Sequence, residues 1–217
     1  MNGIDLVEEL KNAVILGKPE EAVALALRVI ENHIDPVTAY ENGLKAGISK
    51  VGEDFANGDV FLPDLVLAAE TMKAASAVLE KEIVRIGVKR SKVGRVVLGT
   101  VAGDLHDIGK TIVGTLLSSY GFDVIDLGVN ISAEDFIETI KREKPDILGM
   151  SSLLTVTARQ LSSVITALAE AGLRSAVKVV VGGGAVTERF AKEIGADGYG
   201  HDAELGVRVI KNLLSLE

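Results

Sequence analysis

Asp104, His106 and Gly109 stand in the pattern Asp-x-His-x-x-Gly, inside the segment GDLHDIGK. Imidazole binds transition metals through one ring nitrogen, and a carboxylate on the other nitrogen fixes the tautomer and raises ligand basicity. Residues two apart in an extended segment project to the same side, so a hydrogen bond between Asp104 and His106 is feasible. Gly109 lets a bulky ligand approach the backbone closely where the following helix begins. The remaining inventory is sparse. There is no cysteine, and the histidines are His33, His106 and His201, which removes disulfides, cysteine nucleophiles, iron–sulfur clusters and thiolate zinc sites. One histidine cannot hold a transition metal tightly alone, but it can complete the coordination of a metal already held by a macrocycle.

Other readings of these residues fare less well. A lone loop histidine is ordinarily a hydrogen-bonded polar residue. Gly109-Lys110-Thr111 nearly completes the phosphate loop G-x-x-x-x-G-K-[ST], but the first glycine falls on Asp104, whose carboxylate repels phosphate. The dipeptide His106-Asp107 also occurs in metal-dependent phosphohydrolases, whose sites need several more histidines on a helical fold. No G-x-G-x-x-G follows any strand, so an ordinary dinucleotide site has little support.

The elements that must position these residues fall into two grammars. Seven of the 23 glycines precede Lys92 and sixteen follow it. In the first half, apolar residues recur at helical spacing, as in Leu6, Leu10, Ala13 and Val14, then Val23, Leu25, Ala26, Val29 and Ile30. Gly17-Lys18-Pro19 and Asp35-Pro36 stop one helix and start the next. A third helix is predicted from about Val37 to Asn57, and Pro63 opens a fourth to about Arg85, which makes a four-helix bundle over residues 1–87. The break FANGDVFLP holds Phe55, Val60, Phe61 and Leu62 around a turn, so those side chains plug the bundle end or cover something else. Residues 88–94 read as a polar, basic linker. The second half, residues 95–217, alternates β-branched runs with helical patterns. Strands are predicted at Arg95 to Val101, Phe122 to Leu127, Asp146 to Ser151, Lys178 to Val181 and Gly198-Tyr199. Helices are predicted near Ile108 to Tyr120, Ala133 to Lys144, Thr157 to Ala171, Thr187 to Ile194 and Ala203 to Leu214. Ser132 with Asp135 marks a helix start, and Gly121 and Gly172 mark helix ends. The fold class is thus α + α/β: a helical bundle, then a doubly wound, flavodoxin-like five-stranded parallel sheet. Ligands of such sheets bind beyond the carboxyl ends of the strands, where strand order reverses. That singles out the loops GDLHDIGK, SSLLTVT, GGGAVT and YGHD.

Composition agrees with a folded protein working on a small ligand. The 217 residues are 47% hydrophobic and 25% charged, with a net charge of -8, which argues against a nucleic-acid surface. No apolar run approaches the ~20 residues of a membrane span. The start MNGIDLVEEL lacks the pattern of a secretory signal, so a cytoplasmic location is expected.

Asp104-Leu105-His106-Asp107-Ile108-Gly109 resembles the cobalamin-binding motif of the methionine synthase type. Ser151-Ser152-Leu153-Leu154-Thr155 resembles that module's Ser-x-Leu element, and Gly182-Gly183 its Gly-Gly element. Val51 to Pro63, VGEDFANGDVFLP, is similar to the helical cap that precedes the module. At this length, with no catalytic barrel, the chain is similar to the small corrinoid methyl-carrier proteins of methanogens and acetogens.

The resemblance implies a cobalamin or related corrinoid as cofactor, its ring between the two halves and its nucleotide tail in the sheet crevice. His106 would be the lower cobalt ligand and Asp104 its hydrogen-bonding partner. The third relay position, a serine six residues past the Ser-x-Leu serine, falls on Thr157. Leu105, Asp107, Ile108 and Gly109 belong to the same motif. Ser151, Leu153 and Thr155 would line the tail pocket, Gly182, Gly183 and Gly184 would permit close backbone approach, and Tyr199, Gly200, His201 and Asp202 would close its far end. Phe55 and Leu62 would cover the upper cobalt face, with the linker as hinge. Reduced cobalt would take a methyl group from methanol, a methylamine or a methoxylated aromatic on a substrate-specific methyltransferase. It would pass that group to an acceptor methyltransferase of coenzyme M or tetrahydrofolate type, with a reductive activation protein as a further partner. His106 would bind and release as the cycle turns, with proton uptake by the Asp104–His106 pair. So short a chain lacks donor-activating machinery, so the expectation is a carrier subunit rather than a complete enzyme. The competing readings are a regulatory cobalamin sensor built on the same module and an isolated phosphate-binding flavodoxin-like domain.

Overall fold

The structure, a computed structural model, describes residues 3–87 and 93–216. They form a helical unit and a sheet unit. Most of the linker expected at 88–94 lies outside the described residues.

The helical unit begins with α1 (Gly3–Ile15) and α2 (Pro19–Glu31), separated by Gly17 at φ +63°. The Asp35 carboxylate then accepts hydrogen bonds from the Val37 and Thr38 amides and caps α3 (Pro36–Thr38), as a short acceptor at this position should. The helix continues through a wider π-helical stretch, Ala39–Lys45, into α4 (Ala46–Asn57). The single helix expected here is therefore present, but its middle turns are widened. Gly43 and Gly47 explain the close packing: a Cβ on Gly47 would stand 2.8 Å from the Lys11 carbonyl of α1, and one on Gly43 would stand 3.1 Å from Leu10. The last helix, α5 (Leu62–Arg85), has Pro63 in its first turn, and the Asp64 carboxylate accepts from the Phe61 amide. Leu6, Leu10, Leu25, Val29, Leu44, Ile48, Leu65 and Leu79 fill the bundle core.

The sheet unit runs β1 (Arg95–Thr100), α6 (Ile108–Ser119), β2 (Asp123–Asp126), α7 (Ala133–Glu143), β3 (Ile147–Ser151), α8 (Ala158–Glu170), β4 (Lys178–Gly182), α9 (Glu188–Glu193), β5 (Gly198–Gly200) and α10 (Ala203–Leu213). All strands are parallel in the order β2-β1-β3-β4-β5. Alternate side chains divide between the two faces. Val97, Leu148, Val179 and Val181 meet Phe136 and Ile140 of α7, Leu161 and Leu168 of α8, and Ala191 of α9 in one core. Leu98, Gly149 and Val180 face the opposite side, toward Val113 of α6 and Ile210 of α10. The strand order reverses between β1 and β3, so the loops after these two strands flank the crevice that such a sheet offers a ligand.

Candidate functional site

The loop after β1 is built to hold one carboxylate. Asp104 is 0% exposed. Its Oδ1 accepts from the His106 amide at 3.1 Å and from the His106 ring Nδ1 at 2.6 Å. Its Oδ2 accepts from the Leu153 amide at 2.8 Å, the Leu154 amide at 3.3 Å and the Thr157 hydroxyl at 2.8 Å. Ser152, also buried, has its hydroxyl 2.8 Å from that of Thr157 and 3.4 Å from Asp104 Oδ2. Burial alone raises the Asp104 pKa. The hydrogen bonds from the His106 ring, the His106 and Leu153 amides and the Thr157 hydroxyl outweigh burial and hold the carboxyl well below the usual range.

An ionised carboxylate only accepts, so Nδ1 of His106 is the donor, and in the neutral ring the lone pair lies on Nε2. The imidazole is half exposed, at 52% of its side-chain surface, while Asp104 behind it is sealed. The loop itself is braced from two sides. The Thr100 hydroxyl donates to the His106 carbonyl at 3.0 Å, Asn130 Oδ1 accepts from the Gly103 amide at 2.7 Å, and the Asn130 amide donates to the Asp104 carbonyl at 3.0 Å.

His106 stands on the wall of a cavity of about 480 Å³ inside the sheet unit, within the range of small-ligand sites. Leu105, Asp107, Ile108, Gly109, Ser151 and Leu153 line it. So do Gly182, Gly183, Gly184, Gly200, His201 and Asp202. Leu105 and Ile108 are each 71% exposed, unusual for large apolar side chains. Gly183 is the most constrained of the glycines: φ is +113°, and a Cβ there would stand 2.2 Å from the Ser152 carbonyl. A Cβ on Gly109 would meet nothing within 4 Å, so the backbone of the first α6 turn is open to a ligand.

Two expected pocket residues lie elsewhere. Thr155 is exposed in the turn before α8 and does not line the cavity. Tyr199 packs on the opposite face of the sheet with the α7–α9 core and donates its hydroxyl to the Val186 carbonyl at 3.0 Å. The alternation of β5 requires this, because Gly200 faces the cavity and its neighbour must face away. In the helical unit, Phe55 on the last turn of α4 and Leu62 opening α5 are half-buried, whereas Phe61 between them is 74% exposed. Sequence reasoning passed over Ser152, Asn130 and Thr100, which work through hydrogen bonds made only in the fold. Lys110, weighed there only as part of a phosphate loop, has its ammonium paired with Asp126.

Two sequence profiles of the B12 binding domain match the chain, one over residues 94–208 and one over residues 6–80. The chain belongs to the corrinoid proteins. A corrinoid protein of Desulfitobacterium hafniense (strain Y51) is 40% identical over 212 residues, 97% of this chain and 98% of that one. The dimethylamine corrinoid protein of Methanosarcina barkeri is 41% identical over 215 residues, 99% of this chain and 100% of that one. A chain of the methanol:cobalamin methyltransferase complex of Methanosarcina barkeri superposes with a TM-score of 0.88 at 28% identity, covering 97% of this chain and 80% of its own. The cofactor of this corrinoid protein is thus a cobalamin or related corrinoid. Its residues fit that group: His106 offers one oriented imidazole nitrogen, and the glycine-rich wall leaves room beside it. Among the described residues no group of three histidine, aspartate or glutamate side chains could hold a metal ion.

Proposed function

We propose that this corrinoid protein carries a methyl group on cobalt from a substrate-specific methyltransferase to an acceptor methyltransferase of coenzyme M or tetrahydrofolate type. A methylamine donor is favoured over methanol or a methoxylated aromatic. The support is that relatives named for dimethylamine and trimethylamine are 41% and 37% identical over nearly the whole chain. A reductive activation protein is proposed as a third partner. Among the described residues no helix is long and apolar enough to cross a membrane.

The observation that carries the reading is the chain of hydrogen bonds from His106 through Asp104 to Thr157 at the wall of the cavity. Bound cobalt supplies a centre that accepts a methyl group from an activated donor and yields it to a nucleophile. His106 Nε2 would hold the cobalt, oriented by the hydrogen bond that Nδ1 donates to Asp104. Thr157 and Ser152 keep that carboxylate in place and charged. The Asp104 carboxylate, 2.6 Å from Nδ1, would fix the ring so that Nε2 is the nitrogen offered to the metal. The Gly182, Gly183 and Gly184 backbone and Leu153 would flank the nucleotide tail.

Reconstitution tests the proposal. The protein refolded with hydroxocobalamin is expected to turn red and keep its absorption through gel filtration. After methylation, it is expected to lose the methyl group to an acceptor when an acceptor methyltransferase is supplied. His106→Ala is expected to change the Co(III) spectrum. A colourless protein contradicts corrinoid binding, and a methyl group that no methyltransferase can remove contradicts the carrier role.

A further inference from the structure

The cavity changes chemistry with depth. Its outer rung, where β3, β4 and β5 end, carries Ser151 with His106, His201 and Asp202 nearby in the lining. One pleat deeper, Leu98, Gly149 and Val180 lie in register across β1, β3 and β4. Val113 of α6 and Ile210 of α10 close over them. None of these five side chains can donate or accept a hydrogen bond, and the backbone of β1, β3 and β4 is taken up in the sheet ladder. Lys110, the charged side chain of the lining on the α6 side, is 6% exposed and has its ammonium on both carboxylate oxygens of Asp126. Asp126 does not line the cavity. Among the described residues no buried side-chain nitrogen or oxygen lacks a partner. The deep end therefore holds no polar side chain waiting for a ligand.

We infer that this end of the cavity is a specificity site for the base of the corrinoid tail, selecting an apolar benzimidazole over a polar purine. The inference rests on the proposed insertion of the tail into this cavity. Dimethylbenzimidazole and adenine are both flat two-ring systems, so size does not separate them. Adenine brings an exocyclic amine and additional ring nitrogens, which water satisfies outside and nothing satisfies at the Leu98–Gly149–Val180 rung. Dimethylbenzimidazole brings two methyl groups that gain from burial there. Leaving one such polar group unpaired on burial weakens binding about ten-fold or more. The polar ribose and phosphate of the tail would then lie at the outer rung, where Ser151 and His201 offer hydrogen bonds.

The test is a titration of the full-length apoprotein with three aquo-corrinoids, followed by their visible spectra: dimethylbenzimidazolyl cobamide, adeninyl cobamide and tail-free cobinamide. Adeninyl cobamide is expected to bind about ten-fold or more weakly than the benzimidazolyl form. Adenine is the poorer cobalt ligand and leaves the metal more readily, so the displacement step opposes this order and cannot produce it. Val113→Thr keeps the side-chain shape while adding a hydroxyl at the deep rung, and is expected to narrow the gap. Equal affinities for the two cobamides, or an unchanged ratio in V113T, would overturn the specificity site while leaving the tail in the cavity. Cobinamide binding as tightly as the benzimidazolyl form would overturn tail insertion itself, and the inference with it.

Discussion

Asp104 takes hydrogen bonds from the His106 ring, three backbone amides and the Thr157 hydroxyl, and no water reaches it. Its folded pKa is depressed, so on acidification the unfolded chain takes up the proton first. The stability Asp104 contributes is complete above the ordinary carboxylate range, about pH 4, and is lost as pH falls below it toward the folded value. Asp104→Asn is expected to be less stable near neutrality and to lose less on going from about pH 5 to about pH 3, read from urea midpoints at each pH. Parallel profiles for the two proteins would contradict the ionised, saturated carboxylate. The Asp-x-His spacing made the Asp104–His106 contact legible in the sequence, because it needs two residues of one extended segment. Ser152 was not legible as part of this chain of bonds, since it meets Thr157 only through a turn whose hydroxyl directions no periodicity encodes. The exposed position of Thr155 was not legible for the same reason: within that turn, side chains no longer alternate as they do in a strand.

At the level of elements, glycine sets how closely the layers approach. A Cβ on Gly200 of β5 would stand 2.7 Å from the Gly206 Cα of α10, backbone against backbone, and one on Gly183 would strike the Ser152 carbonyl. Gly200→Ala is expected to lower stability by about 1–3 kcal/mol, the usual cost of overpacking, measured by urea unfolding. It is also expected to weaken corrinoid binding, because β5 and α10 both line the cavity; a variant of unchanged stability and affinity would contradict the tight β5–α10 contact. Strand and helix order could be read from the sequence because glycine, proline and capping residues punctuate it. Ser132 accepts from the Asp135 amide, and Gly121 and Gly172 have positive φ, as those signals predict. The π-helical stretch Ala39–Lys45 could not be read. Its hydrophobic spacing is helical, and the widening accompanies packing of Gly43 and Gly47 against α1, which is tertiary information. The side of the sheet that Tyr199 takes was legible, for the period of two in β5 already turned it from Gly200.

Across the whole molecule, composition bounds the chemistry. A chain with no cysteine and His33, His106 and His201 as its histidines has few ways to touch a transition metal. Of the three, the structure backs His106 with a buried carboxylate, whereas His201 has the Tyr199 hydroxyl at 3.3 Å from its Nδ1. The scarcity makes the central claim directly measurable, because all three histidines can be labelled with 15N at once. The reconstituted protein in its Co(II) state is to be compared by electron paramagnetic resonance with and without 15N-histidine. An axial nitrogen from histidine is expected to turn the superhyperfine triplet of 14N into the doublet of 15N, and His106→Ala to abolish that doublet. A triplet that survives labelling would mean that cobalt keeps the nitrogen of its own base, and would contradict the role assigned to His106.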